Sequence, residues 1–370
     1  MQIQGGALPY VQDIAPYQAG KPIDTLAREM GLDPRRIVKL ASNENPLGMP
    51  ASARAAVQAL LDEDELARYP DSHGFELRAG LAQHLGVPPE WLVLGNGSND
   101  ILELAAAAYL APGRSCVYSQ FAFAVYALAT QARGARALIV PAKDHGHDLE
   151  TMAAAIEADT TLIYIANPNN PTGTFVDQEV VEAFLARVPQ RVAVVLDEAY
   201  FEYLPAQCRA DTMAWVRRYP NLLVTRTFSK AYGLAGLRVG YGVAQPAMIR
   251  LLDRVRQPFN VNAVAMAAAT AALGDAAFIA ESVQVNASGM AQLVAAFERL
   301  SLRCLPSAGN FLLVHLGPCA QAVNQGLLAR GVIVRPVGNY GLSEWLRVSI
   351  GLERENARCI EALEDVLKGL

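Results

Sequence analysis

The sequence predicts an α/β protein in which a mostly parallel sheet covered by helices is joined to a smaller α+β domain. Three observations carry that prediction. Between about residues 92 and 243, short apolar runs alternate with segments of helical apolar spacing. Several of the runs are continuous, which suits strands buried on both faces and connected by crossover helices. After residue 245 long helical patterns give way to weaker strand candidates. The length of 370 residues fits this division, being too great for one small core and right for two domains of roughly 100–200 residues each.

The elements follow in order. "WLVLG" (91–95) is a strand, and "SNDILELAAAAYL" (98–110) is a helix whose start is signalled by Ser98 and Asn99. "SCVYS" (115–119) precedes "FAVYALATQARG" (123–134), which stops at Gly134 as helices commonly do. "ARALIVPA" (135–142), "TLIYIANP" (161–168), "VAVVLDEAY" (192–200) and "NLLVTRTFS" (221–229) are further strands. Helical patterns over 246–256 and 262–298 lead to "NFLLVHL" (310–316), "GVIVRP" (331–336) and "WLRVSIG" (345–351), with the helical "CAQAVNQGLLARG" between the first two. The first 45 residues have no sheet rhythm and are expected to pack on the smaller domain. The expected division is 46–260 for the large domain and 1–45 with 261–370 for the small one.

Composition excludes several function classes. Hydrophobic residues make up 52% and charged residues 18%, with a net charge of −5 and no Lys/Arg-rich run, so no nucleic-acid footprint is expected. The alanine-rich stretch 263–273 is too short to span a bilayer, and the first residues lack the basic and apolar regions of a secretory signal, so no membrane partner is expected. Cys116, Cys208, Cys304, Cys319 and Cys359 are scattered and odd in number. They read as free thiols in a reducing, cytoplasmic setting. His145 and His147 lack a third ligand at metal spacing, and no metal is expected.

In a parallel α/β sheet, ligands bind beyond the carboxyl ends of the strands. Gly97–Asn99, Asn170, Asp197–Tyr200 and Thr227–Lys230 all fall there. Alone, "NPNNPTG" (167–173) reads as a turn, Asp197 as a helix cap and Lys230 as a solvated loop charge. Together they read differently. A lysine whose surroundings lower its pKa can form a Schiff base with an aldehyde. Thr227, Ser229 and Arg238 supply hydroxyls and a cation for a phosphate, and Ser98 and Asn99 at a helix start add amide donors. A carboxylate at Asp197 can hold a heteroaromatic nitrogen protonated, while Asn170 and Tyr200 offer hydrogen bonds to a ring oxygen. Those are the parts that pyridoxal 5'-phosphate requires.

At these residues the chain resembles a known family. "SKAYGLAGLRVG", "NNPTG" and "DEAYFEY" are similar to the lysine, asparagine and aspartate motifs of fold-type I aminotransferases, and the similarity runs almost the full chain. "LASNENPLG" (40–48), "RYPD" (68–71), "LGNGSND" (94–100) and "YGLSEWLRVSIG" (340–351) resemble, more narrowly, the histidinol-phosphate aminotransferases.

The resemblance implies the fold-type I architecture, a large domain with a mostly parallel seven-stranded sheet plus a smaller α+β domain, and it implies roles. Lys230 is the catalytic lysine that holds the cofactor and moves the substrate proton. Asp197 pairs with the pyridine nitrogen, and Asn170 and Tyr200 with the phenolic oxygen. Ser98, Asn99, Thr227, Ser229 and Arg238 bind the cofactor phosphate. Tyr69 reaches it from a partner subunit, which implies a homodimer with shared active sites. Phe121 stands where the family stacks an aromatic on the cofactor ring. Arg347 grips an anionic end of the substrate and Arg335 its phosphate, with Tyr17 and Asn43 closing over it. The implied substrates are histidinol phosphate and glutamate/2-oxoglutarate. An aminotransferase for phenylalanine or tyrosine shares every cofactor motif and stays open as an alternative, as does, less specifically, a threonine-phosphate decarboxylase-like lyase.

Overall fold

The computed structural model describes residues 6–17, 20–63 and 65–370. Residues 1–5, which begin the segment expected to pack on the smaller domain, lie outside the described residues, as do 18, 19 and 64. The strands are, in chain order, β1 (Val38–Lys39), β2 (Leu92–Gly95), β3 (Ser115–Ser119), β4 (Arg136–Val140), β5 (Thr160–Ala166), β6 (Ala193–Asp197) and β7 (Leu222–Thr227). They continue with β8 (Gly240–Val243), β9 (Cys304–Leu305), β10 (Phe311–His315), β11 (Val332–Ile333), β12 (Arg335–Val337) and β13 (Leu342–Ser349).

Seven of them form one sheet in the order β2-β8-β7-β6-β5-β3-β4. The β3–β4, β3–β5, β5–β6 and β6–β7 pairs are parallel, and only β8 runs against its neighbours. The continuous apolar runs explain the burial. Successive side chains leave a strand on opposite faces. Thus Ile163, Val194 and Val224 pack on one face of the sheet while Leu162, Tyr164, Val195 and Leu223 pack on the other, under separate helical layers. The strand β8, "GYGV", is glycine-rich and carries too little apolar pattern to be seen in the sequence. A second sheet has the order β12-β13-β10-β9 and is antiparallel. The N-terminal segment joins the late part of the chain through the parallel pair β1–β11.

One expected element divides. The helical pattern over 262–298 becomes two helices, Ala263–Leu273 and Ala276–Arg299, bent by 84°. Asp275 caps the second, accepting from the Phe278 amide at 3.1 Å and from Ser52 Oγ at 2.7 Å. A capping aspartate after glycine resets the axis although the apolar spacing runs on. Among the described residues, no single helix is long and apolar enough to cross a membrane.

A buried ion pair fixes the carboxyl ends of β6 and β7. Arg226 Nε donates to Glu198 Oε2 at 2.9 Å, its guanidinium lies 3.5 Å from the Phe201 ring centroid, and Thr212 Oγ1 bridges the two charges. Removing one member leaves the other charge buried and uncompensated. Glu198→Ala is therefore expected to cost about 3–5 kcal/mol, read as an earlier urea-unfolding transition.

Candidate active site

The sheet's carboxyl edge meets the second sheet at a cavity of about 210 Å³. Its walls bring together residues spread over the whole chain: Tyr17 and Asn43; Ser98 and Asn99; Asn170, Asp197 and Tyr200; Thr227, Ser229, Lys230 and Arg238; and Arg335 and Arg347. Two residues named from the sequence stand elsewhere. Tyr69 is 83% exposed on the chain's own surface, stacked on Phe259 with ring centroids 4.7 Å apart.

Phe121 is the second. It lines a neighbouring groove, its ring 5.8 Å from that of His145, and the aromatic wall of the Lys230 cavity is Phe123 instead. The loop after β3 offers aromatics two residues apart. Its path brings the second to the cavity and packs the first beside Trp345 and Tyr340.

Lys230 follows β7, partly buried. Its Nζ donates to the Ser42 carbonyl at 3.1 Å. Burial pulls its pKa down to about 8, with the Arg347 charge adding to the effect. Asp197 ends β6 and is buried. Tyr126 Oη donates to its Oδ2 at 2.9 Å and Thr225 Oγ1 to its Oδ1 at 3.2 Å. Burial still outweighs these donors and raises the carboxyl to about 6. Tyr200 Oη accepts from Asn43 Nδ2 at 2.9 Å, and burial pushes that phenol up to about 12, so it stays protonated.

At the start of the helix Ser98–Tyr109 the chain makes a close approach. Gly97 has φ +85°, and a Cβ there would stand 2.5 Å from Arg238 Nη2. A Cβ on Gly240 would stand 2.5 Å from the Ser98 amide nitrogen. The guanidinium thus lies directly over a helix N-terminus, beside Ser229 Oγ at 3.3 Å. Exposed amides, a favourable dipole and a cation make an anion cradle.

A second cationic group faces the same cavity. Arg335 on β12 and Arg347 on β13 are opposite one another in the antiparallel register, and both are buried. Arg347 donates to the Asn170 side-chain oxygen and to the Ala41 carbonyl at 2.7 Å, while its buried Nε has no partner. Arg335 lies over the Tyr17 ring at 5.7 Å. Burial lowers the Arg347 pKa, with Arg335 contributing in the same direction. Two guanidiniums placed across one register and facing one cavity suit an anionic ligand there.

The sequence did not point to Tyr126, Thr225, Phe123 or Tyr340, nor to the network around Asn43. Asn43 was expected to close over a substrate, but its polar atoms are largely committed. Beyond Tyr200, its Oδ1 accepts from Ser349 Oγ at 2.8 Å and its carbonyl from Asn310 Nδ2 at 3.0 Å. Only "SNENP" with its turn residues signals an unusual backbone conformation there, and Asn43 does have φ +54°.

The residues fit pyridoxal phosphate. A depressed lysine, a buried carboxylate held by neutral donors, and an arginine over a helix N-terminus in one cavity match its aldehyde, ring nitrogen and phosphate.

Comparison with known proteins agrees. The model of the family "Aminotransferase class I and II" matches residues 35–363. "Histidinol-phosphate aminotransferase 2" of Ralstonia nicotianae is 64% identical over 370 residues, covering 99% of this chain and 98% of that protein. "Histidinol-phosphate aminotransferase 1" of Cupriavidus pinatubonensis is 64% identical over 372 residues, with the same coverage. Among solved structures, histidinol-phosphate aminotransferase from Sinorhizobium meliloti in complex with pyridoxal-5'-phosphate has a TM-score of 0.90 at 29% identity, covering 99% of this chain and 98% of that one.

Proposed function

The chain belongs to the class I and II aminotransferases, which use pyridoxal phosphate, and from that premise we propose that it moves the amino group of L-histidinol phosphate to 2-oxoglutarate. The products are imidazole-acetol phosphate and glutamate, a step of histidine biosynthesis. One observation carries the choice of substrate: Arg335 and Arg347 sit opposite each other, buried, in the cavity that holds Lys230. Arg238 and the helix N-terminus already provide for one phosphate, so this pair serves a second anion. The identity to relatives bearing that name supports the same reading.

When bound, pyridoxal phosphate supplies an aldehyde carbon and a protonated ring that withdraws electrons from the substrate carbon. The chain's residues do the rest. Ser98, Asn99, Thr227, Ser229 and Arg238 bind the phosphate. Asp197 keeps a proton on the ring nitrogen, Asn170 and Tyr200 hold the ring oxygen, and Phe123 walls the site. Lys230 Nζ, neutral at an accessible pH, would take the proton from the substrate carbon and pass it to the cofactor, so that the amino group can stay behind. Arg347 holds the substrate phosphate in one half-reaction and a carboxylate of glutamate in the other, with Arg335 beside it and Tyr17 above.

The proposal extends to assembly and setting. Tyr69 serves the phosphate cradle of a second copy in a homodimer. Its exposure, and the neighbouring exposed Phe75 and Phe259, support an apolar face meant to be covered. A division near residues 46–260 and 1–45 with 261–370 is supported by the two sheets and by the β1–β11 pair, with the helix Ala263–Leu273 packing into the core of the large domain. Five free cysteines support a cytoplasmic setting.

The test compares kcat/KM for histidinol phosphate with those for phenylalanine and tyrosine. Hydrogen bonds to charged groups are worth about 1.5–3 kcal/mol each, so two arginines should give a preference of about 100-fold or more. Comparable values for all three would make an aromatic amino-acid aminotransferase the correct reading.

A further inference from the structure

We infer that Tyr126 is a positioning residue of the cofactor site, its phenol holding the Asp197 carboxylate at the cavity wall without neutralising it. The inference rests on the assignment of pyridoxal phosphate to this cavity.

Tyr126 lies on the helix Ala124–Ala132 and is fully buried. Its ring stacks flat on that of Tyr164, centroids 4.5 Å apart and planes at 2°. The hydroxyl of Tyr164 is occupied elsewhere, donating to the Leu102 carbonyl at 2.8 Å. Thr130 Oγ1 ties the Tyr126 carbonyl at 2.7 Å. The ring and backbone are therefore fixed by contacts that a phenylalanine would make equally well. Burying a hydroxyl is unfavourable unless it finds a partner. Its partner here is Asp197 Oδ2.

The type of donor decides what the contact does. The carboxylate's hydrogen bonds come from neutral groups: the Tyr126 phenol, the Thr225 hydroxyl and the Ala199 backbone. Arg226, on the neighbouring strand β7, is turned to Glu198. Neutral donors fix the orientation of a carboxylate and favour its charged form, yet leave the negative charge for another partner. That partner is the protonated ring nitrogen of the cofactor. A lysine or arginine in the place of Tyr126 would compete for the same charge.

The experiment is a double-mutant cycle on the full chain, with Tyr126→Phe, Asp197→Asn and the pair compared with wild type. The readouts are the pyridoxal phosphate dissociation constant by equilibrium dialysis, the visible absorption spectrum of the bound cofactor, and kcat and KM. Tyr126→Phe is expected to weaken cofactor binding and lower kcat by about tenfold each, a typical loss for one hydrogen bond to a charged group. The spectrum should shift, and the KM for the amino donor and the thermal midpoint should hardly move. In the Asp197→Asn background the same substitution should change neither affinity nor spectrum. Tyr126→His keeps a ring donor and should recover part of the loss, whereas Tyr126→Leu should not. Equal losses in both backgrounds, or none in either, would overturn the role of Tyr126. A wild-type chain that fails to bind the cofactor would instead overturn the cofactor assignment.

Discussion

Lys230→Ala is expected to abolish amino-group transfer and to leave the protein folded. Proton transfer by a positioned side chain is worth about 10²–10⁴-fold, and the lysine also holds the cofactor, so the loss in kcat/KM should reach at least the upper end of that range. The fold survives for a reason visible in the cavity. Lys230 has one hydrogen bond, to Ser42, and its charge stands among Arg347 and Arg238. Its pKa falls to about 8 from an ordinary 10.5, so the fold disfavours its protonated form. The unfolded chain then binds more protons between those values, and stability rises with pH across that window. Cofactor-free wild type should gain thermal stability between pH 8 and 10.5 relative to Lys230→Ala, and at pH 7 the variant should be at least as stable. Turnover near the wild-type rate, or a variant that unfolds at pH 7, would refute this assignment.

Asp197→Asn is the second large effect. Without the carboxylate charge, nothing at the end of β6 holds a proton on the cofactor ring. Losing one preorganised electrostatic partner costs about 10²–10³-fold in kcat. In the cofactor-free protein the sign of the stability change is opposite to the usual acidic case. Burial raises the Asp197 carboxyl from 3.8 to about 6, so ionising it costs stability as pH rises through that interval. The asparagine variant is spared that cost and should melt higher than cofactor-free wild type at pH 7. Cofactor affinity should show the reverse. For wild type it falls more steeply as pH drops through about 6 than it does for Asp197→Asn, which lacks that carboxyl. Absorbance titrations at pH 5 to 8 check both trends.

The parts legible in the sequence share a physical cause. Continuous apolar runs announced the strands of the parallel sheet, and residues at their carboxyl ends had to face the ligand edge. Asn170, Asp197, Thr227 and Lys230 could therefore be placed from position alone, and the motif resemblance gave Arg335 and Arg347. What could not be read depends on the path of the chain between elements. Phe121 and Phe123 are equivalent in pattern, and only the course of the loop after β3 separates them. Tyr126 meets Asp197 across 71 positions through a helix that looks like any other amphipathic segment. Asn43 sits in a recognisable motif, but its commitment to Tyr200 and Ser349 appears only once three distant segments are assembled.

That assembly bears on how the molecule reaches its native state. Asn43 and Ser349 bond across 306 positions, Arg347 reaches back over the same separation to Ala41, and β1 pairs with β11. Contacts so remote in sequence close large loops, and the entropy of closure must be met before they reward folding. The strands of the seven-stranded sheet all lie within residues 92–243, and none of these contacts joins two of them. The cavity around Lys230 differs, because its Ser42 and Arg347 walls arrive from either side of that sheet's sequence. A chain ending before β13 lacks Arg347 and with it one wall of the chamber around Lys230, so the site cannot be complete until that strand has been made.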